Sequence, residues 1–180
     1  VTRLKQEISD REVLILAPGK SAVTESDKVE AYIKKHRPFV IAVQFMHDQI
    51  EADYIYMSNV KRYRYWKNNQ RFVNARKILT CNILNEEEVK NAVVVSFIKY
   101  VKCGWENIDN STIMLLRLMD EIGVKKIVIA GFDGYNYSTN GELNYASKFL
   151  ELSSAYVNPI ALNQKISSML SDYIATRKHT

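Results

Sequence analysis

The 180-residue chain is short of the residues that hold small proteins together by means other than a core. Its 2 cysteines, Cys81 and Cys103, have no CxxC partner, which excludes a disulfide framework and a cysteine zinc site. They read as reduced thiols of a cytoplasmic protein. The 3 histidines, His36, His47 and His179, lie far apart and show no metal-ligand spacing, so no metal is expected. No apolar run approaches the ~18–20 residues of a membrane span and no signal peptide is visible, so no membrane partner is expected. No repeat, low-complexity segment or second domain is evident.

What is present is ordinary globular material. Hydrophobic residues make up 47% and charged residues 25%, enough for one domain with a sizeable core. The net charge of +5 favours an anionic small-molecule ligand and falls short of a nucleic-acid footprint by itself.

Apolar runs at Val13–Ala17, Phe39–Val43, Tyr54–Met57, Lys77–Thr80, Val93–Phe97 and Lys126–Ala130 predict strands, and continuous runs suit strands buried on both faces. Between them, Val29, Tyr32 and Ile33 predict a surface helix over 23–36. Leu115, Leu118, Met119 and Ile122 predict another, capped by Asp109 or Ser111 and stopped at Gly123. Residues 1–10 read as a helical or linker lead-in. Asn158-Pro159 opens a last helix with the stripe Leu162, Ile166, Met169, Leu170, Tyr173 and Ile174. Alternating strands and helices predict an α/β fold, a Rossmann-like open and mostly parallel sheet with helices on both faces.

The informative feature is where the strands break. Leu16 leads into Ala17-Pro18-Gly19-Lys20-Ser21, Met57 into Ser58-Asn59, and Ala130 into Gly131-Phe132-Asp133-Gly134-Tyr135. Breaks at carboxyl strand ends line the crevice where open α/β sheets bind ligands. Gly19-Lys20-Ser21 is not a phosphate-cradling P-loop, because Leu14 stands where that motif needs its first glycine. It remains either a plain turn or a weak anion site leading into a helix. Gly131 permits close approach of a ligand, and Asp133 would accept hydrogen bonds from sugar or ribose hydroxyls, the alternative being an Asp that caps a turn. Tyr135, Tyr137 and Asn140 continue a polar, aromatic loop through Gly141 that resembles a pocket wall.

Two further segments carry alternatives. Lys61-Arg62-Tyr63-Arg64-Tyr65-Trp66-Lys67, with Arg71, Arg76 and Lys77, interleaves cations and aromatics. Such a run is more often a solvated helix face with Tyr and Trp turned inward than a nucleic-acid site. Glu86-Glu87-Glu88 reads as a helix start. His47, beside Asp48, is a candidate general base if its loop folds inward, although an exposed loop histidine is the commoner case.

With these residues in place, the chain resembles the nucleotide-sugar-binding domain of bacterial sialyltransferases and the related pterin-diphosphokinase-like proteins. Gly19-Lys20-Ser21 takes the place of their Gly-Pro-Ser, Val43-Gln44-Phe45 of their Asn-Gln-Phe, and Ser58-Asn59 of a strand-end Asn. Gly131-Phe132-Asp133-Gly134-Tyr135 looks like their Gly-Ile-Asp-Phe-Tyr, and Tyr156-Val157-Asn158-Pro159 corresponds loosely to a late segment. The resemblance implies a nucleotide or nucleotide-sugar ligand, cytidine compounds among them. Gly19, Lys20 and Ser21 would hold phosphate, Gln44 and Asn59 the base or ribose, and Gly131, Asp133 and Tyr135 the sugar end. No histidine lies between Asp133 and His179, so the lid histidine that performs sialyl transfer is missing. No catalytic residue or cofactor is therefore assigned. The opening Ile15-Leu16-Ala17-Pro18-Gly19-Lys20-Ser21 is also similar to C-terminal domains of 4-hydroxy-2-oxovalerate aldolase-like proteins of the pyruvate aldolase superfamily. That implies a C-terminal part of a longer lyase, partnered by its N-terminal aldolase barrel. The alternative function is a non-catalytic regulatory or docking module of that aldolase, with an interface among Tyr63, Tyr65 and Trp66.

Overall fold

In the computed structural model, residues 1–84, 92–102, 110–132, 136–137, 143–144 and 150–152 are described. The predicted last helix, the Glu86–Glu88 segment, Cys103, Asp109 and Asp133 to Tyr135 lie outside them, as do Asn140 and Gly141. The architecture is the expected open α/β sheet. The strands are β1 (Glu12–Leu16), β2 (Phe39–Val43), β3 (Tyr54–Met57), β4 (Lys77–Thr80), β5 (Ala92–Val95), β6 (Lys126–Ala130), β7 (Asn136–Tyr137), β8 (Leu143–Asn144) and β9 (Leu150–Leu152). The main sheet has the order β5-β4-β3-β2-β1-β6-β9, and β7 pairs with β8 separately. Strands β1 to β6 are mutually parallel; β9 runs antiparallel along β6.

The central strands are apolar without alternation because both faces are covered, and β2 and β3 are buried at every position. One face carries Val13, Ile15, Phe39, Ile41, Tyr54, Tyr56, Ile127 and Ile129 against α1 (Thr2–Ile8), α6 (Phe97–Tyr100) and α7 (Ser111–Ile122). The other carries Leu14, Leu16, Val40 and Ala42 against α2 (Ser21–Thr24) and α3 (Ser26–His36), and Ile55, Met57 and Leu79 against α4 (Val60–Trp66) and α5 (Gln70–Asn74). The result is three layers.

The two long helices differ as their sequences do. In α3 only Val29 is buried, with Tyr32 and Ile33 packed beside it, whereas α7 buries Ile113 through Leu116, Leu118, Met119 and Ile122. Gly123 ends α7 at φ +89°, with the Val124 N–H donating to the Met119 carbonyl, a Schellman closure. The N-cap is Asn110, whose Oδ1 accepts from the Thr112 and Ile113 amides, rather than Ser111. Ser111 is already inside the helix, and its hydroxyl turns toward the sheet instead.

Three carboxylates fasten neighbouring elements by one device, each accepting from a cation and a tyrosine hydroxyl. Glu7 on α1 meets Arg76 at 2.5 Å and Tyr54 at 3.3 Å. Glu121 on α7 meets Lys99 at 2.7 Å and Tyr100 at 2.6 Å. Glu12 on β1 meets Lys126 of β6 and Tyr32 of α3. Partial burial opposes ionisation of Glu12, but the bonds from Lys126 and Tyr32 outweigh it and hold the carboxyl below its ordinary range. Glu7 is lowered in the same manner by Arg76 and Arg3, and Glu121 chiefly by Lys99 and Tyr100. A depressed folded-state pKa contributes stability above the unfolded value of about 4.5, lost as pH falls through the folded value. Acid titration followed by circular dichroism should therefore show stability falling below about pH 4.5. In Glu12→Gln that acid limb should be shallower, with a lower starting stability at pH 7. An unchanged acid limb would remove Glu12 from this account.

Candidate functional site

The strand order decides where a ligand can enter. From β1 the chain steps outward through β2 to β5, then returns to place β6 on the opposite side of β1. The topological switch point therefore lies between β1 and β6. Along the carboxyl rim, the ends of β6, β1, β2 and β3 present Gly131, Gly19, Gln44 and Ser58-Asn59 in that order. At ~4.8 Å per strand the row spans roughly 14 Å. Residues far apart in sequence, and singled out separately, thus share one rim.

Gly19 and Gly131 are in direct contact. The Ala17 N–H donates to the Ala130 carbonyl and the Gly19 N–H to the Gly131 carbonyl, both at 2.8 Å, carrying the β1–β6 pairing into the turns. Gly131 has φ +73°, and a Cβ there would lie 2.3 Å from the Ala17 carbonyl oxygen and 2.7 Å from Ala22 Cβ. The close approach that only glycine permits at this position is thus made by the chain's own β1 turn. Lys20 is exposed, and its carbonyl accepts the Val23 and Thr24 amides of α2. Ser21 is buried as the first residue of that helix.

Gln44 ends β2 with φ +64°, a left-handed conformation uncommon outside glycine, and is buried. Its side chain crosses to the end of β3. The amide is oriented by its neighbours, because the opposite placement would set its NH2 against two backbone N–H donors. Oε1 accepts from Ser58 N at 2.9 Å, Asn59 N at 3.1 Å, Ser58 Oγ at 2.7 Å and Ser111 Oγ at 2.8 Å. Asn59 caps α4, its Oδ1 accepting from the Lys61 and Arg62 amides at 2.9 and 3.2 Å. Next along the rim, Asn82 donates to the Ser58 carbonyl at 3.1 Å and lies 2.5 Å from Thr80 Oγ1. Thr80, Asn82 and Ser111 were not anticipated as part of the rim. Their signal is faint, since each is a small polar residue at or just past the end of a strand or at a helix start.

His47 is buried and fully engaged. Its Nδ1 accepts from the Gln49 and Ile50 amides at 3.1 and 3.0 Å, which leaves the proton on Nε2, 3.0 Å from the Ala22 carbonyl. Neither nitrogen is open to act as a base; the ring ties the loop of residues 44–53 to α2.

That loop replaces a helix in the β2-to-β3 crossover, and a groove of about 780 Å³ opens beside it. Its walls include His47, Glu51, Asp53, Arg71, Asn74 and Arg76, and none of the rim residues above. No group of three or more His, Cys, Asp or Glu side chains suited to a metal occurs among the described residues, and no helix there is long and apolar enough to cross a membrane. The chain matches no known protein-family model, and a search of curated proteins gives no match.

The rim's stability should depend on its glycine and its glutamine. Gly131→Ala meets a carbonyl and a strained φ, and should cost about 3 kcal/mol or more, lowering the melting temperature by roughly 6–12 °C. Gln44→Ala leaves buried amides unsatisfied and should cost about 1–3 kcal/mol, whereas Gln44→Glu keeps the acceptor and should lose less. Equal melting temperatures for both Gln44 variants would refute the acceptor role.

Proposed function

We propose that this chain binds a nucleotide or nucleotide sugar across the carboxyl rim of its sheet, centred between β1 and β6. The observation that carries the reading is the switch point between β1 and β6, the position at which open α/β sheets bind their ligands. Lys20 stands there exposed, with no ion pair among the described residues. Gly19, Lys20 and Ser21 would hold phosphate, with Asp133 and Tyr135 toward the sugar. Since the side-chain oxygens of Gln44 and Asn59 are spent on the protein, these residues would meet a ligand through their amide NH2 groups. Two donors suit the acceptor edge of a pyrimidine such as cytosine. Lys20 would also offset charge on a departing phosphate, the electrostatic part of a glycosyl or phosphoryl transfer that proceeds without the usual histidine.

The test is a thermal-shift titration of the chain with cytidine nucleotides and nucleotide sugars. At ~100 times its dissociation constant a ligand should add about 2.7 kcal/mol, a shift of several degrees. Lys20→Ala and Asp133→Ala should each weaken binding at least about fivefold while leaving the unliganded melting temperature within ~2 °C. No shift across the panel would overturn the reading.

One observation favours a second reading, a docking or regulatory module carried by an aldolase-type lyase. Gln44 and Asn59 make internal bonds of a kind that would persist without any ligand. Binding to such a barrel with no nucleotide response would support it.

A further inference from the structure

The segment 54–85 contains seven Lys or Arg and no Asp or Glu, in a chain whose whole net charge is +5. The remainder is therefore slightly acidic, and the positive charge is concentrated on one part of the outer layer. Two of the seven are used internally. Lys77 is buried in the core and donates to the Val73 and Ala75 carbonyls at 3.0 and 2.9 Å, capping α5, and Arg76 pairs with Glu7. Lys61, Arg62, Arg64 and Lys67 are exposed and make no ion pair among the described residues; Arg71 donates to the His47 carbonyl and keeps its charge at the surface.

The aromatics of this stretch do not all turn inward as the sequence pattern suggested. Tyr63 does: it is buried against Phe72, ring centroids 5.8 Å apart and nearly perpendicular. Tyr65 stands 74% exposed, edge-to-face with the half-buried Trp66 at 5.1 Å. The difference is helical phase. With Tyr63 anchoring α4 over Met57 and Leu79, a residue two positions later points away from the sheet. The same phase places Lys61 and Arg62, four and three residues earlier, on the surface turn next to Tyr65. A solvent-facing aromatic ring is thus bordered by exposed cations, with Arg64 and Lys67 beyond.

We propose that the α4–α5 face is a binding surface for single-stranded nucleic acid. The cations follow the phosphodiester backbone, and Tyr65, supported by Trp66, gives an unpaired base a stacking platform. An acidic protein surface would use the charges but has no planar base to place on Tyr65, which is why the aromatic decides between them. The proposal is independent of nucleotide binding at the β1–β6 rim, and either can fail alone.

The experiment is fluorescence anisotropy of the chain with a labelled oligo-dT of about twenty residues between 50 and 200 mM salt, using heparin and polyglutamate as base-free competitors. Expected is a dissociation constant on the order of 1–100 μM at low salt, with log affinity falling against log salt at a slope of about −2 to −3 for four cations. The double variant Lys61→Glu/Arg64→Glu should lose at least about tenfold and flatten that slope. Tyr65→Ala should lose about five- to tenfold with the slope unchanged, since stacking is not a charge interaction. Both variants alter exposed side chains, and melting temperatures within ~2 °C of the parent will show that they are folded. Absence of oligonucleotide binding overturns the proposal. So does binding that Tyr65→Ala leaves intact while polyglutamate competes as well as the oligonucleotide, which would identify a surface for an acidic protein.

Discussion

The structure depends on the junction of β1 with β6. Strand β1 is paired on both sides, to β2 and to β6, and buried on both faces. Its pairing with β6 continues past the last strand residue through Ala17 to Ala130 and Gly19 to Gly131. That continuation requires the positive φ and missing side chain of Gly131, because the Ala17 carbonyl occupies the space a Cβ would need. The consequences spread outward. The β1 turn is pinned at its glycine against the end of β6. At the switch point the glycine therefore serves the protein's own packing first.

The remainder of the rim follows the same economy. A parallel sheet brings helix N-termini and strand C-termini to one edge, so it gathers unsatisfied amides there. Gln44, Asn59 and Asn110 take them up with side-chain oxygens. Gln44 does so from a left-handed backbone conformation, which bends the chain off β2 and aims its amide across to β3. The bend also sends residues 44–53 back along the face as a loop, anchored by His47 on α2 and by Asp53, whose carboxylate accepts the Val40 amide at 2.7 Å. A groove remains where a crossover helix would sit. Polar residues that look functional in a sequence are at this edge equally demanded by folding, their side-chain oxygens taken up by backbone amides.

Charge is distributed by the same logic. Glu7, Glu12 and Glu121 each face inward to a cation and a tyrosine, fastening helix to strand or helix to helix. These pairs are partly shielded from solvent, so they resist screening better than exposed ones. The cations of α4 make no ion pair among the described residues. What distinguishes that face is a local excess of positive charge, seven Lys or Arg and no acid over residues 54–85.

Strand positions were legible in the sequence to within a residue or two, because a strand buried on both faces must be apolar throughout. Val43, Met57 and Ala130 end their strands where Gln44, Ser58 and Gly131 break the apolar run. Gly123 as a helix stop was legible too, since few other residues take positive φ cheaply. The outward turn of Tyr65 was not, because phase on a short helix is set by which ring, here Tyr63, finds the core. Nor were the spending of Gln44 on Ser58 and Ser111, the capture of both His47 nitrogens, or the order of strands. Each depends on which segments become neighbours, and local pattern is silent about neighbours. By itself the sequence determined the α/β class and the strand ends, through apolar runs and breaks that act over a few residues. Only the tertiary structure decided that those ends form one rim, that its switch point lies between β1 and β6, and which polar atoms are left over, because hydrogen bonds across tens of residues are chosen by packing.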